Sequence, residues 1–177
     1  MDFREITEFI KDTSKYIIVA VSVLIIMIYV VSLQQVVGPS MSTTLNEDNI
    51  IAIDKISYRF TEPKRFDIIS FEYAETKYLI KRIIGLPGEH IRYKDGVLYI
   101  NDEPYEDKNN LNIKTDNFDL KKLGFDVIPD NMYLVLGDNR GNSLDSRSTK
   151  VGLIKKEDII GKAFIRLWPL NGLKIVK

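Results

Sequence analysis

The 177-residue chain contains no cysteine and only one histidine, His90. Without cysteine it has no disulfide framework, no thiol nucleophile and no thiolate metal site. One histidine is too few for a poly-histidine zinc site. The chain also lacks net charge, since 25 basic residues balance 25 acidic ones. Because nucleic-acid binders use a basic excess, we expect no nucleic-acid partner.

Charged residues are also missing from the stretch between Lys15 and Glu47, where residues 16–33 read YIIVAVSVLIIMIYVVSL. As a helix these residues would rise roughly 27 Å, close to the ~30 Å hydrocarbon thickness of a bilayer. We therefore expect a transmembrane helix at residues 16–34. A cleaved secretory signal peptide is disfavoured by the length of the run and by the QQVV that follows it. A buried core helix is disfavoured by apolar residues on every face.

Basic residues flank this run on its N-terminal side. Arg4, Lys11 and Lys15 precede it, and the next basic residue is Lys55. The positive-inside rule therefore predicts a cytoplasmic N-terminus at residues 1–15 and an extracytoplasmic domain at residues 35–177, on a single-pass protein of the cell membrane.

Beyond the apolar run, β-branched and aromatic residues predict a mostly antiparallel β domain. The expected strands are residues 49–56, 66–73, 77–84, 132–136 and 163–167, and an Asp95-Gly96 turn joins 89–93 to 97–100 in a hairpin. Residues 101–130 are polar, and we interpret them as an irregular insertion or small cap without a core of its own.

Three segments combine glycine, polar residues and apolar residues: GPSMSTTL at 38–45, KRIIGLPGE at 81–89 and GDNRGNSLDSR at 137–147. Each by itself has an ordinary interpretation. The first is a turn, the second is a strand that runs into a Pro-Gly turn, and the third is a surface loop with ion pairs.

Together and in this order, the three segments resemble those of bacterial type I signal peptidases, in the Gram-positive form with one anchor. The RFDIISF strand at 65–71 and the GKA at 161–163, followed by Trp168-Pro169, are also similar to that family. The resemblance implies a serine endopeptidase that removes signal peptides from preproteins after small-x-small sites such as Ala-x-Ala. It implies no metal or organic cofactor.

The resemblance identifies Ser40 as the nucleophile and Lys81 as the general base. A lysine can act as a base only when neutral, so its pKa must fall from about 10.4, and burial has this effect. On the strand pattern alone, a solvated Lys81 beside a buried Arg82 remains an alternative. We expect His90 to be a solvated histidine at a strand end rather than the base.

Further roles follow from the resemblance. Ser143 would orient the lysine amine, and the Ser40 N–H would be an oxyanion donor, whereas Gly38 lacks the hydroxyl that some relatives use there. The residues expected to hold the site together are Asp138, Asn139, Arg140, Asp145 and Arg147, the last two as an ion pair. Those expected to line shallow substrate pockets are Val36, Met41 and Ile80.

Three positions depart from the family pattern. Thr43 replaces the usual Pro, Phe66 replaces Gly, and Glu89 replaces the commoner Asp. None of them removes a catalytic group. Because proline would stiffen the turn, we expect Thr43 to leave the position of Ser40 less fixed.

The implied partners are signal peptides, the lipid bilayer and a nearby secretion translocase. Two other functions remain open. A catalytically silent relative that binds signal peptides is disfavoured by the intact Ser40 and Lys81. A self-cleaving Ser/Lys regulator is disfavoured by the apolar run and by the absence of a basic DNA-binding face.

Overall fold

An N-terminal helix precedes two antiparallel β-sheets in the computed structural model, which describes residues 3–74, 77–105 and 114–176. The long helix α1 spans Phe3–Tyr29, and a one-turn helix, α2, spans Ser57–Phe60. Within these ranges, no helix has the length and apolar character required to cross a membrane.

The helix predicted at residues 16–34 was wrong at its C-terminal end. Helix α1 ends at Tyr29, and Val31–Gln35 forms the first strand, β1. This strand pairs antiparallel with Ile50–Asp54, which is β2. The backbone groups of β1 therefore find partners in a sheet rather than along a helix, and local apolar character did not indicate this long-range pairing.

Among the described residues, the main sheet has eight strands. In spatial order they are β1, β2, β11 (Ile159–Trp168), β3 (Ile68–Ala74), β4 (Lys77–Gly85), β9 (Met132–Leu136) and β10 (Ile154–Lys155), and β12 (Lys174–Ile175) pairs with β11. The prediction of a mostly antiparallel β domain is confirmed. Strand β9 has its predicted bounds, whereas β11 begins at Ile159 rather than at residue 163.

The second sheet has four strands in the described part of the chain, in the order β7 (Glu103–Pro104), β6 (Val97–Ile100), β5 (Ile91–Lys94) and β8 (Phe118–Asp119). The predicted insertion at residues 101–130 is not irregular throughout, because it contributes β7 and β8 to this sheet. Phe118, Leu120 and Ile128 are buried in an apolar cluster with side chains of β5, β6 and β9. Residues 101–130 contribute only a few apolar side chains to this cluster, and the neighbouring strands supply the others. Residues 106–113 of the insertion lie outside the described ranges.

Two further apolar clusters cover the main sheet. One contains Met41 and Leu45, which follow β1 and belong to the GPSMSTTL segment at 38–45. Close strand packing at β11 requires Gly161, since a Cβ there would lie 2.8 Å from the Asp54 carbonyl carbon. The three segments singled out in the sequence therefore meet where β1, β4 and β9 end or begin.

Candidate active site

Ser40 lies in the loop between β1 and β2. The Ser42 N–H donates to the Pro39 carbonyl at 3.0 Å, and the Leu45 N–H donates to the Met41 carbonyl at 2.8 Å. Met41 and Leu45 are fully buried. The loop is therefore held by its own turns and by the buried side chains of Met41 and Leu45. Ser40 itself is half-buried.

Lys81 extends from β4 to the Ser40 hydroxyl. Its side chain is buried, and Nζ donates to Ser40 Oγ at 2.7 Å and to the Ile80 carbonyl at 3.0 Å. Burial lowers the pKa of Lys81 to about 8, although the negative charges of Asp145 and Asp138 act in the opposite direction. With this pKa about a tenth of the molecules carry a neutral lysine at pH 7, far more than at the ordinary lysine pKa of about 10.4.

Arg82, the next residue on β4, is buried as well and has a partner that the sequence did not reveal. Its Nε donates to Asp138 Oδ1 at 2.9 Å and a terminal nitrogen donates to Oδ2 at 2.8 Å. Thr44 Oγ1 donates to the same carboxylate at 2.5 Å. This buried ion pair joins β4 to the loop after β9 and to the Ser40 loop. Arg82 and Thr44 are both in the singled-out segments, but their pairing depends on the fold.

The 137–147 segment packs directly against Ser40. The Asn139 N–H donates to the Ser40 carbonyl at 3.0 Å, and its side-chain amide donates to the Pro39 carbonyl at 3.1 Å and to Ser42 Oγ at 2.9 Å. A Cβ on Gly137 would lie 2.5 Å from the Ser40 carbonyl oxygen, so this approach needs glycine. Arg140 donates from Nε to the Gly137 carbonyl at 3.0 Å.

Asp145 and Arg147 form an ion pair in the same segment. Two nitrogens of Arg147 each lie 2.9 Å from an oxygen of Asp145, and the Gly137 N–H donates to Asp145 at 3.0 Å. Burial by itself raises the pKa of Asp145, but the hydrogen bonds from Arg147 and Gly137 outweigh it and hold that pKa below its ordinary value.

Ser143 does not contact the amine as the sequence led us to expect. Its Oγ is buried and has no hydrogen-bond partner of normal geometry within the described ranges. It lies close enough to Asp145 to contribute to the lowered pKa of that carboxyl. The structure therefore contains the lysine–serine contact without the expected Ser143–Lys81 hydrogen bond.

His90 lies in the second sheet region, away from Ser40. Its Nε2 is 3.2 Å from an oxygen of Asp119, and its side chain is only 14% exposed. The expectation of a solvated histidine was wrong, because the ring is largely buried and lies beside the Asp119 carboxylate. It is not among the residues that line the groove at Ser40.

A groove of about 1020 Å³ runs past Ser40 and Lys81. Its walls are residues 32–37 of β1 and the following turn on one side and residues 77–81 of β4 on the other. All three predicted pocket residues, Val36, Met41 and Ile80, line it. The first two are almost fully buried beneath it.

Two of the departures from the family pattern have unusual backbone angles. Thr43 has φ +112° and Phe66 has φ +70°. The left-handed conformation of Phe66 explains why glycine suits that position. The expectation for Thr43 was wrong in its premise, because proline holds φ near −65° and does not fit the observed backbone. Glu89, the third departure, pairs with Arg65 and accepts from the Leu86 N–H at 2.8 Å.

Known proteins share both the sequence and the fold. The model of a family described as signal peptidase, peptidase S26, matches residues 6–168. Signal peptidase I of Bacillus caldolyticus is 39% identical over 153 residues, 81% of this chain and 83% of the relative. Signal peptidase IB of Staphylococcus aureus is 35% identical over 184 residues, 93% of this chain and 94% of the relative.

A crystal structure of a signal peptidase I from Enterococcus faecalis V583 superposes with a TM-score of 0.50 at 37% identity, over 58% of this chain and 97% of that one. The family match covers most of the chain and includes all three segments that meet at Ser40. This chain therefore belongs to the signal peptidase family, peptidase S26.

Proposed function

We propose that this chain is a type I signal peptidase that cuts signal peptides from preproteins, with Ser40 as nucleophile and Lys81 as general base. The observation that carries the proposal is the 2.7 Å contact between Lys81 Nζ and Ser40 Oγ, made by a buried lysine with a lowered pKa. A buried amine beside a serine hydroxyl has the geometry and the proton affinity of a general base.

The reaction begins when neutral Lys81 accepts the Ser40 proton and Oγ attacks the scissile carbonyl. The Ser40 N–H is the proposed donor to the oxyanion. The Lys81 ammonium then gives its proton to the departing amine, which leaves an acyl-enzyme. Water attacks the ester with Lys81 again as the base, and the cleaved signal peptide leaves as a carboxylate. Ser143 remains the proposed support of the amine, since its buried hydroxyl is available for a bond that forms when substrate binds.

The groove suits an extended peptide. Strand β1 pairs only with β2 among the described strands, and β4 pairs with β9 only from Arg82 onward. Both strands therefore offer unpaired backbone groups to a peptide between them, and the hydrogen bonds of an added strand would hold it. Val36, Met41 and Ile80 give the groove an apolar lining near Ser40, which is compatible with the small apolar side chains of an Ala-x-Ala site.

We further propose that the apolar run anchors the enzyme, with residues 1–15 in the cytoplasm and the β domain outside, close to the secretion translocase. This part rests on the uncharged run and on its basic N-terminal flank. An anchor would hold enzyme and signal peptide at one interface and so raise their effective concentration.

The test is cleavage in trans. Purified full-length chain in detergent micelles should cut a peptide with an Ala-x-Ala site after the second alanine, and Ser40→Ala should not. If neither protein cuts any small-x-small peptide but both bind it, the chain is a silent binder and the proposed function is wrong. Cleavage of itself alone, with no cleavage of peptide in trans, would favour the self-cleaving regulator.

A further inference from the structure

Arg140 is a buried cation that connects the active-site loop to the second sheet. On the loop side its Nε donates to the Gly137 carbonyl at 3.0 Å. On the other side one terminal nitrogen donates to the Tyr93 hydroxyl at 3.2 Å and to Thr115 Oγ1, and the guanidinium carbon lies 5.4 Å from the centre of the Tyr93 ring. Tyr93 is in β5, and Thr115 precedes β8.

The partners of Arg140 are neutral, which distinguishes it from the other arginines of the site. Arg82 pairs with Asp138 and Arg147 pairs with Asp145, but no carboxylate in the described ranges forms an ion pair with Arg140. A buried cation without an opposite charge is costly unless its N–H groups have acceptors. The hydroxyls of the second sheet region therefore determine where this guanidinium rests.

The position of Arg140 is transmitted to the nucleophile through Gly137. The Gly137 carbonyl accepts from Arg140, and its N–H donates to Asp145. Its Cα packs so closely on the Ser40 backbone that a Cβ would lie 2.5 Å from the Ser40 carbonyl oxygen. A shift of Gly137 would therefore displace the Ser40 backbone, and with it the hydroxyl that lies 2.7 Å from Lys81 Nζ.

We propose that Thr115 is a positioning residue of the active site, which acts through Arg140 to hold Gly137 against Ser40. The second sheet then has a part in catalysis although none of its residues touches the groove. The kinetic test of this inference rests on the proposed peptidase function.

The kinetic test is Thr115→Val, which removes the hydroxyl and keeps the shape of the side chain. We expect kcat to fall roughly three- to thirty-fold with KM within about two-fold, because the bound reactants are misaligned rather than released. The acidic limb of the pH–rate profile should move to higher pH as Lys81 gains water. Thr115→Ser should restore both values. Thr61→Val, which removes a hydroxyl bond to Ser57 on an exposed turn, is the matched control.

The route through Arg140 is tested by a double mutant. In an Arg140→Met background, Thr115→Val should cause no further loss of kcat, since the acceptor has lost its donor. Equal losses in the two backgrounds, or wild-type kcat and an unmoved acidic limb in Thr115→Val, would overturn the inference. If Thr115→Val does not fold, Tyr93→Phe removes the other hydroxyl acceptor and keeps the ring.

Hydrogen exchange separates this inference from the proposed function. Peptides covering residues 137–147 should exchange faster in Thr115→Val than in wild type, whereas Thr61→Val should not change them. This readout needs no activity. A wild-type chain that cuts no peptide would sink the proposed function alone, and unchanged exchange at 137–147 would sink the inference alone.

Discussion

At the scale of single residues, β4 carries two adjacent buried basic residues, Arg82 and Lys81, whose charges are accommodated in different ways. Arg82 keeps its charge, because Asp138 pairs with it through two hydrogen bonds. Lys81 has no carboxylate in direct contact in the part of the chain that is described, and burial lowers its pKa to about 8. The guanidinium cannot give up its proton at any pH that a protein tolerates, whereas the ammonium can. The group that can lose its proton, the Lys81 ammonium, is the one that contacts Ser40.

The first prediction concerns this pair. Ser40→Ala and Lys81→Ala should each lower kcat by about a thousand-fold or more, and the double mutant should be no worse than either, because the two groups act as one unit. Lys81→Arg should also be inactive. Peptide-cleavage kinetics measure this, with His90→Ala as an active control. Substantial turnover by Lys81→Ala would refute the assignment.

The second prediction is a pH dependence with a defined sign. Activity needs neutral Lys81, so kcat/KM should rise with pH and level off above about 8, where the amine has lost its proton. The free energy of unfolding should behave in a related way. Because the unfolded lysine, with a pKa near 10.4, binds its proton more tightly, stability should rise between pH 8 and about 10.

The comparison that isolates this effect is Lys81→Met. This variant should be more stable than wild type at pH 7, and the difference should shrink as the pH is raised through the interval from 8 to 10. Chemical denaturation of both proteins in the same detergent, at pH 7 and at pH 10, measures it. A difference that is equal at both values would show that Lys81 keeps an ordinary pKa.

At the scale of elements, β3 is preceded by a residue in the left-handed region. Phe66 has φ +70°, its N–H donates to the Ile83 carbonyl at 2.8 Å, and its carbonyl accepts from Arg82 at 2.9 Å. The ring packs on the cluster of the second sheet, with its centre 6.1 Å from that of Tyr105. The strained backbone at Phe66 is therefore offset by two contacts of this residue: its carbonyl binds the Arg82 side chain, and its ring packs in the apolar cluster.

The third prediction separates these two contributions. Phe66→Ala and Phe66→Gly both lose the ring, but only glycine relieves the backbone. Phe66→Gly should therefore be more stable than Phe66→Ala by about 1 kcal/mol, the reverse of the usual order in a regular element. Denaturant unfolding of the two variants decides the matter. Phe66→Ala as the more stable variant would contradict the left-handed backbone.

The fourth prediction concerns the ion pair that links β4 to the loop after β9. Asp138→Asn should destabilise the fold by about 3–5 kcal/mol, because it leaves the Arg82 charge buried without its partner. Replacing both residues, as Arg82→Met with Asp138→Leu, should recover part of that loss, since no charge then remains buried. Thermal unfolding of the three variants measures both effects. A double variant less stable than Asp138→Asn would contradict this account.

At the scale of the whole molecule, the three segments that are far apart in sequence converge on one groove. The loop after β1 supplies Ser40, β4 supplies Lys81, and the loop after β9 packs against Ser40 through Asn139 and Gly137. The apolar run leads directly into β1, one wall of this groove. Anything that fixes the run at a membrane would therefore fix the groove close to that membrane.

The fifth prediction follows from this connection. The protein should fractionate with membranes and resist extraction by high salt, and protease added outside intact cells should digest the β domain. Release by salt alone, or recovery of a soluble chain that begins after residue 37, would contradict the anchor. The Ser40→Ala variant is the control, because it removes any cleavage of the chain by its own proposed nucleophile.

The sequence by itself determined the family and the mostly antiparallel β domain, because both depend on local patterns: runs of β-branched residues, turn residues, and three short segments in a fixed order. It also placed Ser40 and Lys81 in those segments. Only the tertiary structure decided what surrounds them. Three of these features join residues far apart in the chain: the pairing of Arg82 with Asp138, the neutral acceptors of Arg140, and the apolar cluster of the second sheet. The end of α1 at Tyr29 likewise depends on a distant segment, because the residues that follow it pair with β2. Such contacts depend on strand register and on which side chains the fold brings next to a buried charge, and the local periodicity of a sequence encodes neither.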